Sequence, residues 1–115
     1  MAEVAHLVTE CGVICLSAFI SPLRVSRERA REIIGADRFL EVYVSTDLAE
    51  CERRDIKGLY RKARAGEIAH FTGINSPFEA PENPDITLDT SALPVEESVA
   101  RVLALLDARG FLSAG

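Results

Sequence analysis

A cluster of basic side chains stands out among the residues that could do chemistry. Between positions 52 and 67 the chain carries six of its 13 lysines and arginines against three acidic residues: Arg53, Arg54, Lys57, Arg61, Lys62 and Arg64. Cations placed this densely can bind a small polyanion such as a phosphate or sulfate ester. The same pattern is also typical of a solvated helix face whose charges pair with one another. The cluster alone leaves both interpretations open.

The remainder of the chain is acidic, which limits the polyanions that it could bind. The formal net charge is -5 and the isoelectric point is near 5.0, which argues against a nucleic-acid-binding protein. The cysteines and histidines also show no ligand spacing for a metal: Cys11, Cys15, Cys51, His6 and His70. An odd cysteine count without a Cys-x-x-Cys pair argues against disulfides and zinc. We therefore expect reduced, mostly buried thiols and no metal site.

Length and hydropathy predict one soluble domain. The 115 residues are 48% hydrophobic and 27% charged, which is ordinary for a globular protein. No apolar run approaches the ~20 residues needed to cross a bilayer. Met1 is followed by a mixed polar segment rather than by a basic stretch and an apolar run, so no secretory signal is recognised. We expect a cytoplasmic protein that does not contact membranes.

The elements that must position the basic cluster alternate between helix and strand. Helical spacing is found in residues 2–10, 23–34 and 48–54 and after Pro94, with Gly12, Gly35 and Gly110 where three of these helices would end. Residues 13–20 and 39–44 are apolar on both faces, as strands buried between helix layers are, and residues 86–90 suggest a short third strand. This alternation predicts an α/β fold with a parallel sheet and right-handed crossovers.

Residues 57–84 interrupt this rhythm. The segment carries Gly58, Gly66 and Gly73 together with three prolines, and it has little apolar periodicity after Ala65. Loops of this length in compact domains are usually functional, as lids or binding loops, or else disordered. Because basic and aromatic residues are interleaved here, we predict that residues 57–84 form a binding lid.

Three strings of residues carry a resemblance to a known family. They are residues 19–24 (FISPLR), 54–68 (RDIKGLYRKARAGEI) and 71–84 (FTGINSPFEAPENP), and together they resemble adenylylsulfate kinase over about residues 2–106. The resemblance implies a nucleotide-kinase-like parallel sheet with flanking helices. It also implies transfer of the ATP γ-phosphoryl group to the 3'-hydroxyl of adenylyl sulfate, which gives 3'-phosphoadenylyl sulfate and ADP. ATP with Mg²⁺ is the implied co-substrate.

The sequence departs from this family in one respect. A P-loop kinase needs the motif Gly-x-x-x-x-Gly-Lys-[Ser/Thr] to cradle phosphates and meet Mg²⁺, and the 115 residues do not contain it. In the family this motif precedes the helix with which the chain begins. The chain therefore resembles the C-terminal part of the kinase domain, so we expect it to lack the Mg²⁺ ligands and to be inactive alone.

The resemblance also leaves several alternatives open. The chain could be a fragment or the product of a shortened gene, and the parent protein could be a homodimer or a fusion with a sulfurylase. The principal alternative function is a non-catalytic remnant or subunit that binds adenylyl sulfate or a partner chain.

Residue roles follow from the same resemblance on the adenylyl sulfate side. Ser21, at the carboxyl end of the predicted strand, matches a serine that the family phosphorylates, and Ser21 and Ile20 are implied substrate contacts. Arg24 could hold a sulfate or phosphate, or be an ordinary helix-surface charge. Phe71 is implied to stack on the adenine of adenylyl sulfate.

The ATP side is implied to use cations of the lid and its base. Lys57, Lys62 and Arg64 would stabilise the charge that develops on the transferred phosphoryl group, with Lys57 the principal catalytic cation beside Ser21. Either Arg53 or Arg54 would pack its guanidinium on the adenine of ATP. Thr90 matches a loop near that base, although a helix-capping role explains Asp89 and Thr90 nearly as well.

Overall fold

The computed structural model describes residues 1–112. Within these residues the chain forms five helices and two strands, in the order α1 (Ala2–Glu10), α2 (Arg24–Ile34), β1 (Val42–Val44), α3 (Leu48–Arg54), α4 (Leu59–Arg64), β2 (Ile86–Leu88) and α5 (Val95–Ala108). The order differs from the predicted alternation at two places, because α2 follows α1 and α4 follows α3 without a strand between them. None of the described helices combines the length and the hydropathy that a membrane span requires.

The two strands pair in parallel, which confirms the predicted α/β class. Tyr43 lies opposite Thr87 in the register, and the ladder continues past the strand ends because Ser45 N donates to Leu88 O at 2.9 Å. At the other end Asp85 Oδ2 accepts a hydrogen bond from Glu41 N at 2.6 Å. Parallel pairing requires a long crossover, and α3, α4 and the predicted lid together supply it.

Helices pack around this small sheet. α1 lies against α2, and Arg38 beyond α2 contacts the Glu10 carboxylate at 2.7 Å. α5 lies against β2, and Arg109 reaches Asp85 at 3.1 Å. Gly35 follows α2 with φ 101°, a value that a side chain rarely allows, which explains why the helix ends there.

The buried strand predicted for residues 13–20 is not formed. These residues have no regular secondary structure and are exposed throughout; Leu16 retains 82% of its accessible surface and Phe19 60%. An apolar run becomes a strand only where another strand pairs with it and helices cover its faces. Since β1 pairs only with β2 in the described sheet, nothing within residues 1–112 does this for the run.

The structure also differs from the expected strand lengths, lid structure and thiol burial. β1 is three residues long rather than residues 39–44, and β2 ends at Leu88 rather than at residue 90. The expected lid loop contains a short helix, α4, because Leu59–Arg64 is free of glycine and proline. The thiols are less buried than predicted, since Cys11 and Cys15 are exposed and Cys51 is half-buried. The exposed thiols and short strands are consistent with a small core, in which Ala63 and Leu88 are the buried apolar residues of the described chain, each with 4% of its surface exposed.

Candidate functional site

A cavity of about 880 Å³ opens beside β1, which is within the usual range for small-molecule sites. Its wall includes Ile20, Ser21 and Phe71, three residues that the sequence placed with the substrate although 50 positions separate Ser21 from Phe71. Aromatic rings of Tyr43, Tyr60 and Phe78 also line it. The fold thus brings the predicted substrate contacts of the Ser21 turn and of the lid to one space.

Ser21 occupies a sharply turned backbone position. Its φ is 42°, a conformation that non-glycine residues adopt at a cost of ~1–3 kcal/mol and that clusters at functional sites. Arg27 Nη1 donates to the Ser21 carbonyl at 2.6 Å, and Glu79 N donates to Pro22 O at 2.7 Å. These two bonds hold the turn from outside, so it keeps this backbone shape without a neighbouring strand.

Arg24 begins α2 and faces the segment that follows Phe78. Its backbone N donates to Glu79 Oε1 at 2.9 Å, and its Nε donates to Ala80 O at 2.9 Å. Its guanidinium also lies 3.9 Å from the Glu82 carboxylate. Arg24 lines a separate cleft of about 330 Å³ and not the larger cavity, so the structure does not bring it together with Ser21 and Phe71.

The Phe71 loop is closed by a side chain that the sequence reading missed. Asn75 accepts a hydrogen bond from Phe71 N through Oδ1 and donates from Nδ2 to Ile68 O at 2.8 Å. Ser76 N donates a hydrogen bond to Phe71 O at 3.1 Å. The Phe71 ring is half-buried and meets the Tyr60 ring edge-on, with centroids 5.0 Å apart. Asn within a Gly-Ile-Asn-Ser turn is the sequence signal that predicts such a loop.

Asp55 anchors the base of the lid and was also missed. Its carboxylate accepts hydrogen bonds from Tyr60 N at 3.0 Å and Arg61 N at 3.1 Å, which are free amides at the start of α4. Gly58 completes the intervening turn with φ 67°, and its N donates to Asp55 O at 2.9 Å. Lys57 lies inside this turn, so Asp55 decides where the Lys57 backbone is held.

Replacing Asp55 by alanine should therefore release α4. We expect Asp55→Ala to lower the free energy of unfolding by ~0.5–2 kcal/mol, as loss of a helix-capping acceptor does. Asp55→Asn keeps one side-chain oxygen as an acceptor, so its free energy of unfolding should fall by less than that of Asp55→Ala. Amide exchange of Tyr60 and Arg61 measures this effect, and unchanged protection of both amides in Asp55→Ala would contradict the anchoring role.

The lid lysines differ from the lid arginines in their contacts. Lys57 and Lys62 are exposed, and neither side chain has an ion-pair or hydrogen-bond partner within residues 1–112. Arg64 instead binds Glu52 of α3, with 2.6 Å between Nε and Oε1, and this contact raises the pKa of Arg64. The structure thus leaves the two lysines available to an anion and ties Arg64 to α3.

Arg53 and Arg54 both reach Glu50 but are held differently. Within residues 1–112 Arg53 binds only Glu50, with Nε 2.8 Å from Oε2 and Nη2 2.5 Å from Oε1. Arg54 binds Glu50 through Nε at 3.0 Å and Thr90 through both terminal nitrogens, at 2.8 Å to Oγ1 and 2.9 Å to the carbonyl. The hydrogen bond from Arg53, together with Arg54, lowers the pKa of Glu50 to about 2. Arg54 therefore has the more restrained guanidinium plane.

Thr90, which follows β2, is held by Thr46, which follows β1. Thr46 Oγ1 lies 2.5 Å from Thr90 Oγ1 and accepts from Thr90 N at 2.9 Å. Asp89 instead stabilises the turn before α5, since its Oδ1 accepts hydrogen bonds from Ser91 Oγ and, at 2.9 Å, from Ser91 N. The bond from the Ser91 side chain, followed by that from its backbone, lowers the pKa of Asp89. Thr46, Arg54 and Thr90 thus form one cluster beyond the carboxyl ends of β1 and β2, the edge at which parallel sheets bind ligands.

Side chains that could hold a metal ion are not grouped in the described part of the chain. Residues 1–112 contain no group of three His, Cys, Asp or Glu side chains close enough to hold an ion. His6 pairs with Glu10 at 3.8 Å on α1, and His70 is exposed in the lid with φ 56°. The side chains described here therefore do not fit Mg²⁺.

Comparison with known proteins identifies relatives of this arrangement. The adenylylsulphate kinase family model matches residues 1–89. An adenylyl-sulfate kinase of Bacteroides fragilis is 58% identical over 106 residues, which are 92% of this chain and 52% of that protein. An adenylyl-sulfate kinase of Halothermothrix orenii is 53% identical over 110 residues, 96% of this chain and 58% of that protein. The chain spans about half the length of the curated relatives it matches.

A solved structure shows the same fold. The APS kinase CysC of Mycobacterium tuberculosis, in complex with AMPPNP and APS, superposes with a TM-score of 0.86 at 48% identity, over 92% of this chain and 62% of that one. Its fold is therefore shared by the described elements, and the predicted fold class is confirmed.

Proposed function

The chain belongs to the adenylylsulphate kinase family, and from this premise we propose that it is the part of such a kinase that holds adenylyl sulfate and closes over ATP. Residues 1–115 would be a partial kinase domain with residues 57–84 as its lid. The reaction is transfer of the γ-phosphoryl group of ATP to the 3'-hydroxyl of adenylyl sulfate. We place it in the cytoplasm, where ATP is available.

One observation carries this proposal. Ile20 and Ser21 share a cavity of about 880 Å³ with Phe71, so a flat nucleobase could contact the Phe71 ring while its sugar and anhydride lie toward the Ser21 turn. Stacking on an aromatic ring is a common way to bind a base. A relative solved with AMPPNP and APS supports the assignment of both ligands.

The transfer itself needs cations rather than covalent chemistry from the protein. A bond forms between the 3'-oxygen of adenylyl sulfate and the γ-phosphorus, while the bond from that phosphorus to the β,γ-bridging oxygen breaks and ADP leaves with the electron pair. The proton of the 3'-hydroxyl is released to solvent. Charge spreads over the γ-phosphoryl oxygens during this step. Lys57 is exposed and without a partner among the described residues, and we propose that it approaches these oxygens when the lid closes, together with Lys62.

The ATP base would lie on Arg54 rather than on Arg53. Arg54 is held from two sides by Glu50 and Thr90, so its guanidinium loses little freedom when a ring stacks on it. Among the described residues, the Arg53 guanidinium hydrogen-bonds to Glu50 alone. Arg64 contributes through its contact with Glu52, which ties the lid helix to α3 next to the proposed base site.

Mg²⁺ would have to be held by residues other than those described. No described cluster fits a metal, and the 115 residues contain no phosphate-cradling Gly-x-x-x-x-Gly-Lys-[Ser/Thr] motif. A homodimer and a fusion with a sulfurylase are both proposals for how the parent protein is assembled. A protein that only binds adenylyl sulfate is the second candidate function, favoured by the missing motif.

The role of Phe71 can be tested by binding. We expect Phe71→Ala to weaken adenylyl sulfate binding by ~1–3 kcal/mol, the usual contribution of a base-stacking aromatic ring, and to leave ATP binding unchanged. Residual affinity should favour adenylyl sulfate over ATP. Calorimetric titration with each nucleotide measures both effects.

Phe111→Ala is the matched control for Phe71→Ala. It removes an equally large ring from an exposed position after α5 and should change neither affinity. An equal loss of affinity for adenylyl sulfate in Phe71→Ala and Phe111→Ala would show that the lid loop has been assigned to the wrong ligand. Tighter binding of ATP than of adenylyl sulfate would show the same.

A further inference from the structure

Arg27 on α2 joins parts of the chain that no local pattern connects. Its Nη1 donates to Ser21 O at 2.6 Å and its Nη2 donates to Glu79 O at 2.5 Å. Its Nε lies 3.5 Å from Glu41 Oε2, and both side chains are largely buried, with 11% and 13% of their surfaces exposed. The Phe78 ring lies 5.7 Å from the guanidinium carbon. One side chain thus contacts the Ser21 turn, the end of the lid segment and the start of the sheet.

The two carbonyls that Arg27 holds belong to two segments that contribute to the lining of the cavity. Ser21 lines the cavity itself, and Glu79 directly follows Phe78, which lines it as well. The two segments also meet directly, because Glu79 N donates to Pro22 O at 2.7 Å and Arg24 N donates to Glu79 Oε1 at 2.9 Å. Arg27 bonds to both segments at this junction, so its position contributes to the distance between them.

The chemistry of the junction requires arginine. A guanidinium presents a planar fork of donors, and here its two terminal nitrogens serve two separate carbonyls while Nε faces a carboxylate. The ammonium group of lysine is a compact point charge on a flexible stem and cannot reproduce this fork. The positive φ of Ser21 also needs an outside contact to persist, because the backbone does not favour it.

We propose that Arg27 is a positioning residue that holds the Ser21 turn and residues 77–81 at the separation needed to receive adenylyl sulfate. The inference rests on the proposed function, since it names what places that ligand. Arg27 does not act on the transferred group. It acts through Ser21 and through the segment that continues the Phe71 loop.

The test uses a chimera in which this chain replaces the matching 106 residues of the Bacteroides fragilis relative. We expect Arg27→Lys to lower kcat/KM for adenylyl sulfate about 100-fold, the scale of a 1 Å misplacement, with KM for ATP unchanged. Arg29→Lys is the matched control, since Arg29 is 71% exposed on the same helix and its ion-pair partner among the described residues is Glu32 alone. Added guanidinium ion should restore activity to Arg27→Ala and have no effect on Arg29→Ala.

A second readout separates this inference from the proposed function. Amide exchange at Glu79 and Arg24 should accelerate in Arg27→Lys and stay slow in Arg29→Lys, whether or not the chimera is active. An inactive chimera would refute the proposed function and leave this measurement to decide the role of Arg27. Unchanged amide exchange at Glu79 and Arg24 in Arg27→Lys would overturn the positioning role. So would an active chimera in which Arg27→Lys and Arg29→Lys have the same kcat/KM for adenylyl sulfate.

Discussion

The 115-residue chain, incubated with ATP, Mg²⁺ and adenylyl sulfate, should release no ADP above the buffer control. Phosphoryl transfer depends on a preorganised cradle of backbone amides and on a hydroxyl that holds Mg²⁺. The sequence contains no motif for either, and the described side chains form no metal site. Lys57 and Lys62 are exposed single charges, and they cannot replace a preorganised cradle of backbone amides. Turnover by this chain alone would refute the prediction.

The chimera with the Bacteroides fragilis relative is the positive control for this experiment. If the proposed function is correct, the part of the relative that this chain does not match should restore turnover. Lys57→Ala in the chimera should then lower kcat more than it raises KM, because the lysine is proposed to act on charge that develops in the transition state. An inactive but folded chimera that binds adenylyl sulfate would favour the non-catalytic alternative.

The isolated chain should also be poorly folded or aggregate. Residues 13–20 expose an apolar run in which Val13, Leu16, Phe19 and Ile20 each keep more than half of their accessible surface. Burial of such side chains is worth ~1.5–3 kcal/mol each, so its loss is comparable with the whole stability of a small domain, ~5–15 kcal/mol. β1 has a second edge that pairs with nothing in residues 1–112, and unpaired edges promote association.

Size-exclusion chromatography with amide hydrogen exchange tests this expectation. We expect oligomers, and fast exchange across residues 13–20. The double variant Leu16→Ser and Phe19→Ser should elute closer to a monomer because it removes two exposed apolar groups from the run. In the chimera the same residues should be protected. A monomer of the unchanged chain with strong protection in residues 13–20 and in β1 would instead show a rearranged sheet.

Local patterns predicted most of the helices. The apolar spacing of residues 2–10 and the glycine after them predicted α1, and the arginine-rich segment ending at Gly35 predicted α2. Pro94 and the acidic first turn predicted the start of α5. Each of these signals lies within one or two turns of chain, because helix hydrogen bonds and caps join neighbours in sequence. Strands pair at a distance, so β1 and β2 were predicted with the wrong lengths.

The residue strings of the lid likewise identified the family from sequence alone, and Ser21, Lys57 and Phe71 remain predictions about its chemistry. Tertiary structure decided what surrounds them. Residues 13–20 have strand composition but no strand partner in the described part of the chain, and Arg54 rather than Arg53 reaches Thr90. Arg27 meets Glu79, 52 positions away, and no periodicity in the sequence specifies such a contact. Its geometry depends on how α2, β1 and the lid pack together, so only the folded chain determines it.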